Sequence, residues 1–445
     1  MELSYMYSFN RERYRILEER ELPCRKQLYE KVVEQGYLLP NRYAEKRLFG
    51  HGGVLNSQKK YVKESEMNAY AKYAVSPGND QPREIYLGEG YEIDETAGKY
   101  LDEDIVYLGY INNHWGHFLI DCSTRLYYFL KDEGKKYKYA FLVNESEDYH
   151  AIAPIQRFFE LLGIEKKLIF VNQVTKCRKI IIPEQGYMIN GYYSEEYLNV
   201  FSQVADRVDC SKYSGYEKVY YSRNNFKKAQ GSEVGEEILL DLFKKNGFKI
   251  ISPENCSLDE QIATIRNTRF LAGIIGTLGH NMLFARPNQN MLLINKTYNV
   301  NVAQMDINQI KKINMTYIDS YLAEFPTLIG NGPFLLIYSQ MLKKYVEEQG
   351  WKLPDEKYIC HKELKSNLKK YERMYRLMHT ENLMINFEKN QEQYDYYDAE
   401  HLTMFYETAY AVLNPIKWNE KIEHWKKRIT GRIKRITGRI KRITD

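Results

Sequence analysis

The sequence predicts an α/β protein of two successive doubly wound lobes, followed by a helical region and a basic amphipathic tail. Three observations predict it. Apolar strand-like runs alternate with helical periodicities from about residue 105 to 295, which implies a parallel sheet covered by helices. The chain has 445 residues, 44% hydrophobic and 28% charged, which suits two or three domains and excludes a largely disordered chain. The charge is unevenly placed: the last twenty residues carry nine Lys or Arg and one acid, leaving 55 bases against 58 acids in the rest. The net +5 is therefore a −3 body with a +8 tail.

In the first unit, 105–110 (IVYLGY) reads as a buried strand. Residues 115–130 read as a helix, with Leu119, Cys122, Leu126 and Phe129 at helical spacing. A strand at 140–143 follows, then a helix at 151–163 that tolerates Pro154 in its first turn. Strands at 168–171 and 179–182 and a helix at about 195–208 complete the unit. A polar break at 210–215 precedes the second. There, strands are expected at 219–222, 248–251, 270–275 and 291–294. A helix at 234–246 stops at Asn246-Gly247, and Ser257-x-x-Glu260 is a capping box opening a helix at 258–267. Residues 1–100 are polar and mixed, and the last third from about 331 is mainly helical. The predicted boundaries are 1–208, 209–330, 331–425 and 426–445, the first two being Rossmann-like lobes that face a cleft.

Six scattered cysteines without a Cys-x-x-Cys pair predict reduced thiols in the cytosol, not disulfides or a zinc site. The segment MELSYMYSFNRERYR has no apolar core of a secretory signal. No uncharged apolar run reaches the ~20 residues that cross a bilayer. The expected place is the cytoplasm, in solution or on a membrane surface.

Two constellations stand at the carboxyl ends of predicted strands, where doubly wound sheets bind ligands. The first is Asn113-His114-Trp115-Gly116-His117-Phe118-Leu119-Ile120-Asp121, with Arg125. On one continuous helix, His117, Asp121 and Arg125 share a stripe. Such a stripe can move a proton and hold an anion. A plain Asp–Arg pair on a helix face, with His117 packed in the core, has the same spacing. His114, His117 and Asp121 also have metal-ligand chemistry. The second is Gly273-Ile274-Ile275-Gly276-Thr277-Leu278-Gly279-His280-Asn281. Its glycines permit a tight turn close to a ligand, and a helix starting near His280 would present N–H groups to a diphosphate. An ordinary β–α turn is the plainer reading. It is neither a Walker loop nor a dinucleotide fingerprint, so ATPase and dehydrogenase functions lose support. Ser222-Arg223 ends another strand, where an arginine can clamp phosphate. Asp102-Glu103-Asp104 precedes its strand and reads as a solvated acidic turn.

In their order, these pieces resemble the family 61 glycosyltransferases, a group that includes capsular polysaccharide enzymes. The similarity runs from about residue 100 to 295. It rests on Gly116-His117-Phe118-Leu119-Ile120-Asp121 with Arg125, Val219-Tyr220-Tyr221-Ser222-Arg223, Glu236 ahead of Asn246-Gly247-Phe248, Ser257-Leu258-Asp259-Glu260-Gln261-Ile262, and the glycine loop ending in Asn281 and Phe284. The family's loop usually reads His-Gly-Ala-Gly-Leu-x-Asn. Here Ile275 stands at the histidine position, with His280 five residues on as a candidate substitute. The family's Asn-Glu pair reads Gly235-Glu236.

The resemblance implies an inverting enzyme of the GT-B type with no cofactor and no obligatory metal. The N-terminal half would hold a saccharide or lipid-linked acceptor and the C-terminal half a nucleotide-sugar. Asp121 would be the base, with His117 its rival or partner, and His114 and Arg125 on the acceptor side. Arg223 and the loop residues Gly276, Thr277, His280 and Asn281 would meet the departing diphosphate. Glu236 or Gln261 would hold the ribose or base. Two alternatives remain: an inactive nucleotide-sugar-binding or scaffold homologue, prompted by Ile275 and Gly235, and a metal-dependent hydrolase using His114, His117 and Asp121.

Residues 427–445 repeat KRITGRI, and Ile429, Ile433, Ile436, Ile440 and Ile443 form one apolar stripe among bases. A basic amphipathic helix suits an anionic membrane surface, which predicts peripheral docking on the inner face of the cell membrane. Packing on the body or on another chain is the competing reading. The acidic body leaves nucleic acid without support as a partner.

Overall fold

The structure is a computed structural model that describes residues 6–42, 50–68, 85–94, 98–224, 233–322 and 333–386. The tail at 426–445 and the expected helical stretch from 387 to 425 lie outside the described residues.

The described residues form two α/β units, each around its own large sheet. The second sheet is wholly parallel, in the order Met6–Tyr7, Asn314–Asp319, Asn290–Asn295, Phe270–Ile274, Lys218–Tyr221, Lys249–Ile251. Apart from its first member, this is the doubly wound order 2-1-3-4-5. The switch point falls between Lys218–Tyr221 and Phe270–Ile274. The strands bury both faces. Leu271, Val219 and Tyr221 point into one apolar cluster, while Ala272, Ile274 and Tyr220 point into another. Alternation into two cores explains why these runs read as continuous apolar stretches.

The first sheet is mixed. Thr175–Pro183, Lys99–Tyr110, Lys138–Leu142 and Leu168–Val171 are parallel. Tyr37–Arg42 and Glu30–Glu34 add antiparallel to Thr175–Pro183, and Gly50–Leu55 pairs with Tyr37–Arg42. The polar first hundred residues thus supply strands that the sequence reading lacks.

Four further differences have local causes. The chain does not divide cleanly at 208, because Met6–Tyr7 pairs with Tyr317 and Ile318 in the second sheet. The run Asp102-Glu103-Asp104 is no turn: it lies within the strand Lys99–Tyr110, with Asp104 paired to Arg178 and Glu103 to Lys138. The region after 331 begins with a short strand, Phe334–Leu335, before its helices. The helix expected over 115–130 stops as an α-helix at Ile120 and continues as a 3₁₀ run, Cys122–Leu130. Ser123 Oγ donates to Leu119 O at 2.7 Å and Thr124 Oγ1 to Asp121 O at 3.0 Å. These hydroxyls compete with the main chain for the carbonyls of the last turn.

The two units are packed together. One apolar cluster holds Val106, Phe118 and Phe158 of the first with Leu258, Phe284 and Leu293 of the second. Asp306, fully buried on the helix Val302–Ile310, accepts from Tyr187 Oη at 3.0 Å and Asn190 N at 2.7 Å, both in the first unit. It also pairs with Arg20. Arg157 of the first unit pairs with Asp259 of the second through two bonds of 2.8 Å.

Candidate active site

The helix Trp115–Ile120 starts just past the carboxyl end of Lys99–Tyr110. His114 caps it, its Nδ1 accepting from His117 N at 3.3 Å. One turn on, His117 Nδ1 lies 2.7 Å from Asp121 Oδ2. The two partners differ in burial: Asp121 keeps 2% of its side chain exposed and His117 keeps 29%. Burial raises the Asp121 pKa, against the lowering effect of His117. With Asp121 ionised, His117 carries its proton on Nδ1, so the basic nitrogen is Nε2. Asp121 is sealed behind the imidazole, and His117 is the member that reaches the surface.

Arg125 does not join this stripe. The 3₁₀ geometry turns it inward, where it is 1% exposed. Its Nε donates to Pro183 O at 2.8 Å and its Nη2 to Glu66 O at 3.0 Å. It ties main-chain segments together, and the acceptor-side place expected for it is corrected. The metal reading of His114, His117 and Asp121 is also set aside. Among the described residues no group of three or more His, Cys, Asp or Glu is placed to hold an ion.

Across from this helix, Phe270–Ile274 leads into Gly276 and one helical turn, Thr277–His280. The turn begins at Thr277, three residues before the start near His280 that the sequence predicts. Gly276 has φ +152°, a conformation open only to glycine. The two loops touch: a Cβ on Gly116 would come within 2.9 Å of Thr277 Oγ1. Gly116 thus permits the close approach of the units. His280 is buried, and burial, followed by the field of His117, pushes its pKa down to about 4. Asn301 fixes its tautomer. Asn301 Oδ1 accepts from Gln304 N at 3.2 Å, so the amide Nδ2 is what faces His280 Nε2 at 3.3 Å. Nε2 accepts, and His280 is a neutral Nδ1–H donor whose Nδ1 finds no partner among the described residues.

Asn281 and Gln261, for which donor contacts are expected, are hydrogen-bonded to each other and across the two units. Trp115 Nε1 donates to Asn281 Oδ1 at 2.8 Å, and Asn281 Nδ2 donates to Gln261 Oε1 at 3.2 Å. Gln261 Nε2 donates to the carbonyls of Pro253 and Cys256. Their amides join the helix Trp115–Ile120 to the second unit.

At the switch point, Arg223 follows the strand Lys218–Tyr221. A guanidinium nitrogen lies 3.6 Å from where a Cβ on Gly276 would sit. Arg223 Nε donates to Glu233 at 2.9 Å, and its main-chain N donates to Glu236 Oε1 at 2.9 Å. Glu236 is 1% exposed and also accepts from Tyr220 Oη at 3.0 Å. It therefore shapes the Arg223 turn from below, where the sequence reading puts it on the ribose or base. Lys296, at the end of Asn290–Asn295, donates to the same Glu233 oxygen at 2.7 Å. Sequence motifs single out neither Glu233 nor Lys296. Lys296 follows an apolar strand just as Arg223 does, and that position was its signal. Glu233 has none.

Residues 115–292 match the family model Glycosyltransferase 61. The match takes in the His117–Asp121 pair, the glycine turn and Arg223, so these belong to a glycosyl-transfer enzyme. No curated protein matches the chain.

Proposed function

With family 61 glycosyl transfer as the premise, we propose that the chain moves a sugar from a nucleotide-sugar to a glycan or lipid-linked acceptor in capsular or other cell-surface polysaccharide synthesis. The transfer inverts the anomeric centre on a GT-B type scaffold. The first unit holds the acceptor and the second the donor. The observation that carries this reading is the pairing of a supported imidazole in one unit with a cationic switch point in the other.

In this mechanism His117 Nε2 takes the proton of the acceptor hydroxyl as that oxygen attacks the anomeric carbon. The bond to the nucleoside diphosphate breaks on the opposite face. Asp121 holds the imidazole in the productive tautomer and stabilises the imidazolium that forms. Arg223, the Gly276–Thr277 turn and the Nδ1–H of His280 meet charge developing on the departing diphosphate. His114 lines the acceptor side. Docking of residues 426–445 on an anionic inner leaflet would bring the enzyme to a lipid-linked acceptor.

The test is nucleotide release by the full chain from UDP-, GDP- and CMP-sugars, followed by two variants. His117→Ala should lower turnover by roughly 10²–10⁴-fold. Asp121→Asn should lower it by roughly 10–100-fold or more, because an amide can hold the wrong tautomer. Both should keep nucleotide affinity. Wild-type turnover in His117→Ala would remove it as base. Nucleotide binding with no release from any sugar would favour the inactive homologue.

A further inference from the structure

Lys296 is 3% exposed, and its ammonium lies 3.8 Å above the Phe334 ring. Its bond to Glu233 Oε1 is 2.7 Å, and Arg223 Nε reaches that same oxygen at 2.9 Å. A single carboxylate oxygen thus stands between two cations. Glu233 keeps only 4% of its side chain exposed, so water screens it little. An anion so close to Arg223 opposes any phosphate that Arg223 is to bind. Neutralising it requires a second cation that does not itself leave for the ligand. Lys296, held between Glu233 and the Phe334 ring, has that geometry.

We infer that Lys296 is a positioning residue which neutralises Glu233, so that Arg223 and the glycine turn present net positive charge to a nucleoside diphosphate. The inference rests on the nucleotide-sugar reading above. It makes Glu233 the orienter of the Arg223 fork and Lys296 the group that cancels its repulsion. Lys296 lies just beyond the matched family segment, which ends at 292.

The charged groups around Lys296 are Arg223, which lowers its pKa, and Glu233 and Glu236, which raise it. Burial outweighs them and brings it down to about 8. As pH rises through 8 the ammonium loses its proton and Glu233 is left uncompensated. The last pKa of a terminal phosphate is about 6, so the ligand's own charge changes little over that range.

Calorimetry of the full chain with UDP, GDP and CDP tests this. Wild-type affinity for the nucleotide that binds should fall several-fold between pH 7 and 9, and Glu233→Gln, compared in a Glu236→Gln background that removes that carboxyl's own titration near 7, should flatten the profile. Lys296→Met, similar in volume, should weaken binding roughly tenfold at pH 7, the scale of one unpaired charge beside a phosphate. Adding Glu233→Gln to Lys296→Met should restore affinity to within about twofold. A merely structural lysine would give no such rescue. A flat wild-type profile overturns the inference even if Lys296→Met does not fold. So does a double variant no better than the single. Absence of wild-type binding to all three nucleotides overturns the donor-site reading itself, which the variants alone cannot do.

Discussion

At Glu236 two effects compete on one carboxyl group. Hydrogen bonds from Tyr220 and Arg223 favour the charged form, burial opposes it, and burial wins, raising the pKa to about 7. The folded protein therefore holds this proton at pH values where an unfolded chain has lost it. The stability it contributes is full below the ordinary carboxylate range and is lost as pH rises through 7. Glu236→Gln keeps an acceptor oxygen and removes the titration. Urea unfolding at pH 5.5 and 8 should show the variant losing about 1–2 kcal/mol less than wild type between the two. Parallel losses would place the titration on another group. Single residues were legible in the sequence to the extent that spacing decides them. The i, i+4 relation of His117 and Asp121 is enough to pair them. Which of the two faces substrate depends on burial, which spacing does not contain. Arg125 shows the same rule failing, because hydroxyls at 123 and 124 unwound the turn on which it depended.

Elements with their own punctuation are legible in the sequence. The helix Leu258–Asn267 has the capping box expected of it: Ser257 Oγ accepts from Glu260 N at 3.2 Å, and the Glu260 carboxylate accepts from Ser257 N at 2.7 Å. Its first turn also carries Asp259 and Gln261, which bond to Arg157 and Asn281. Ser257→Ala should cost about 1 kcal/mol in denaturant unfolding. No measurable loss would mean that the Arg157–Asp259 pair, not the cap, fixes that turn. The strands among the first hundred residues are not legible in the sequence because their patterns are broken. Tyr37–Arg42 contains Pro40, at a place where its register with Gly50–Leu55 slips. Gly50–Leu55 reads GHGGVL, half of it glycine. Glu30–Glu34 is an edge strand with a single buried residue, Val33.

For the molecule as a whole, alternation of apolar runs conveyed two α/β units but not how they join. The shared aromatic cluster and the Asp306 clasp depend on contacts distant in sequence, for which no local pattern exists. Charge division does have a whole-molecule consequence. If residues 426–445 dock on membranes, the full chain should sediment with anionic vesicles at low salt and be released at high salt. A chain lacking 426–445 should stay in solution. Equal sedimentation with neutral vesicles, or none with either, would refute electrostatic docking. The pairing of Met6–Tyr7 with Asn314–Asp319 also governs how the protein is made. Met6–Tyr7 is synthesised well before its sheet partners Tyr317 and Ile318. At roughly 5–20 residues per second, those partners are synthesised some tens of seconds later. Until then Met6–Tyr7 has no strand of the second sheet to pair with, and once Asn314–Asp319 appears its outer edge is closed by that waiting segment. The parallel sheet of the second unit is thus completed only after Asn314–Asp319 has been made, and Met6–Tyr7 waits unpaired until then.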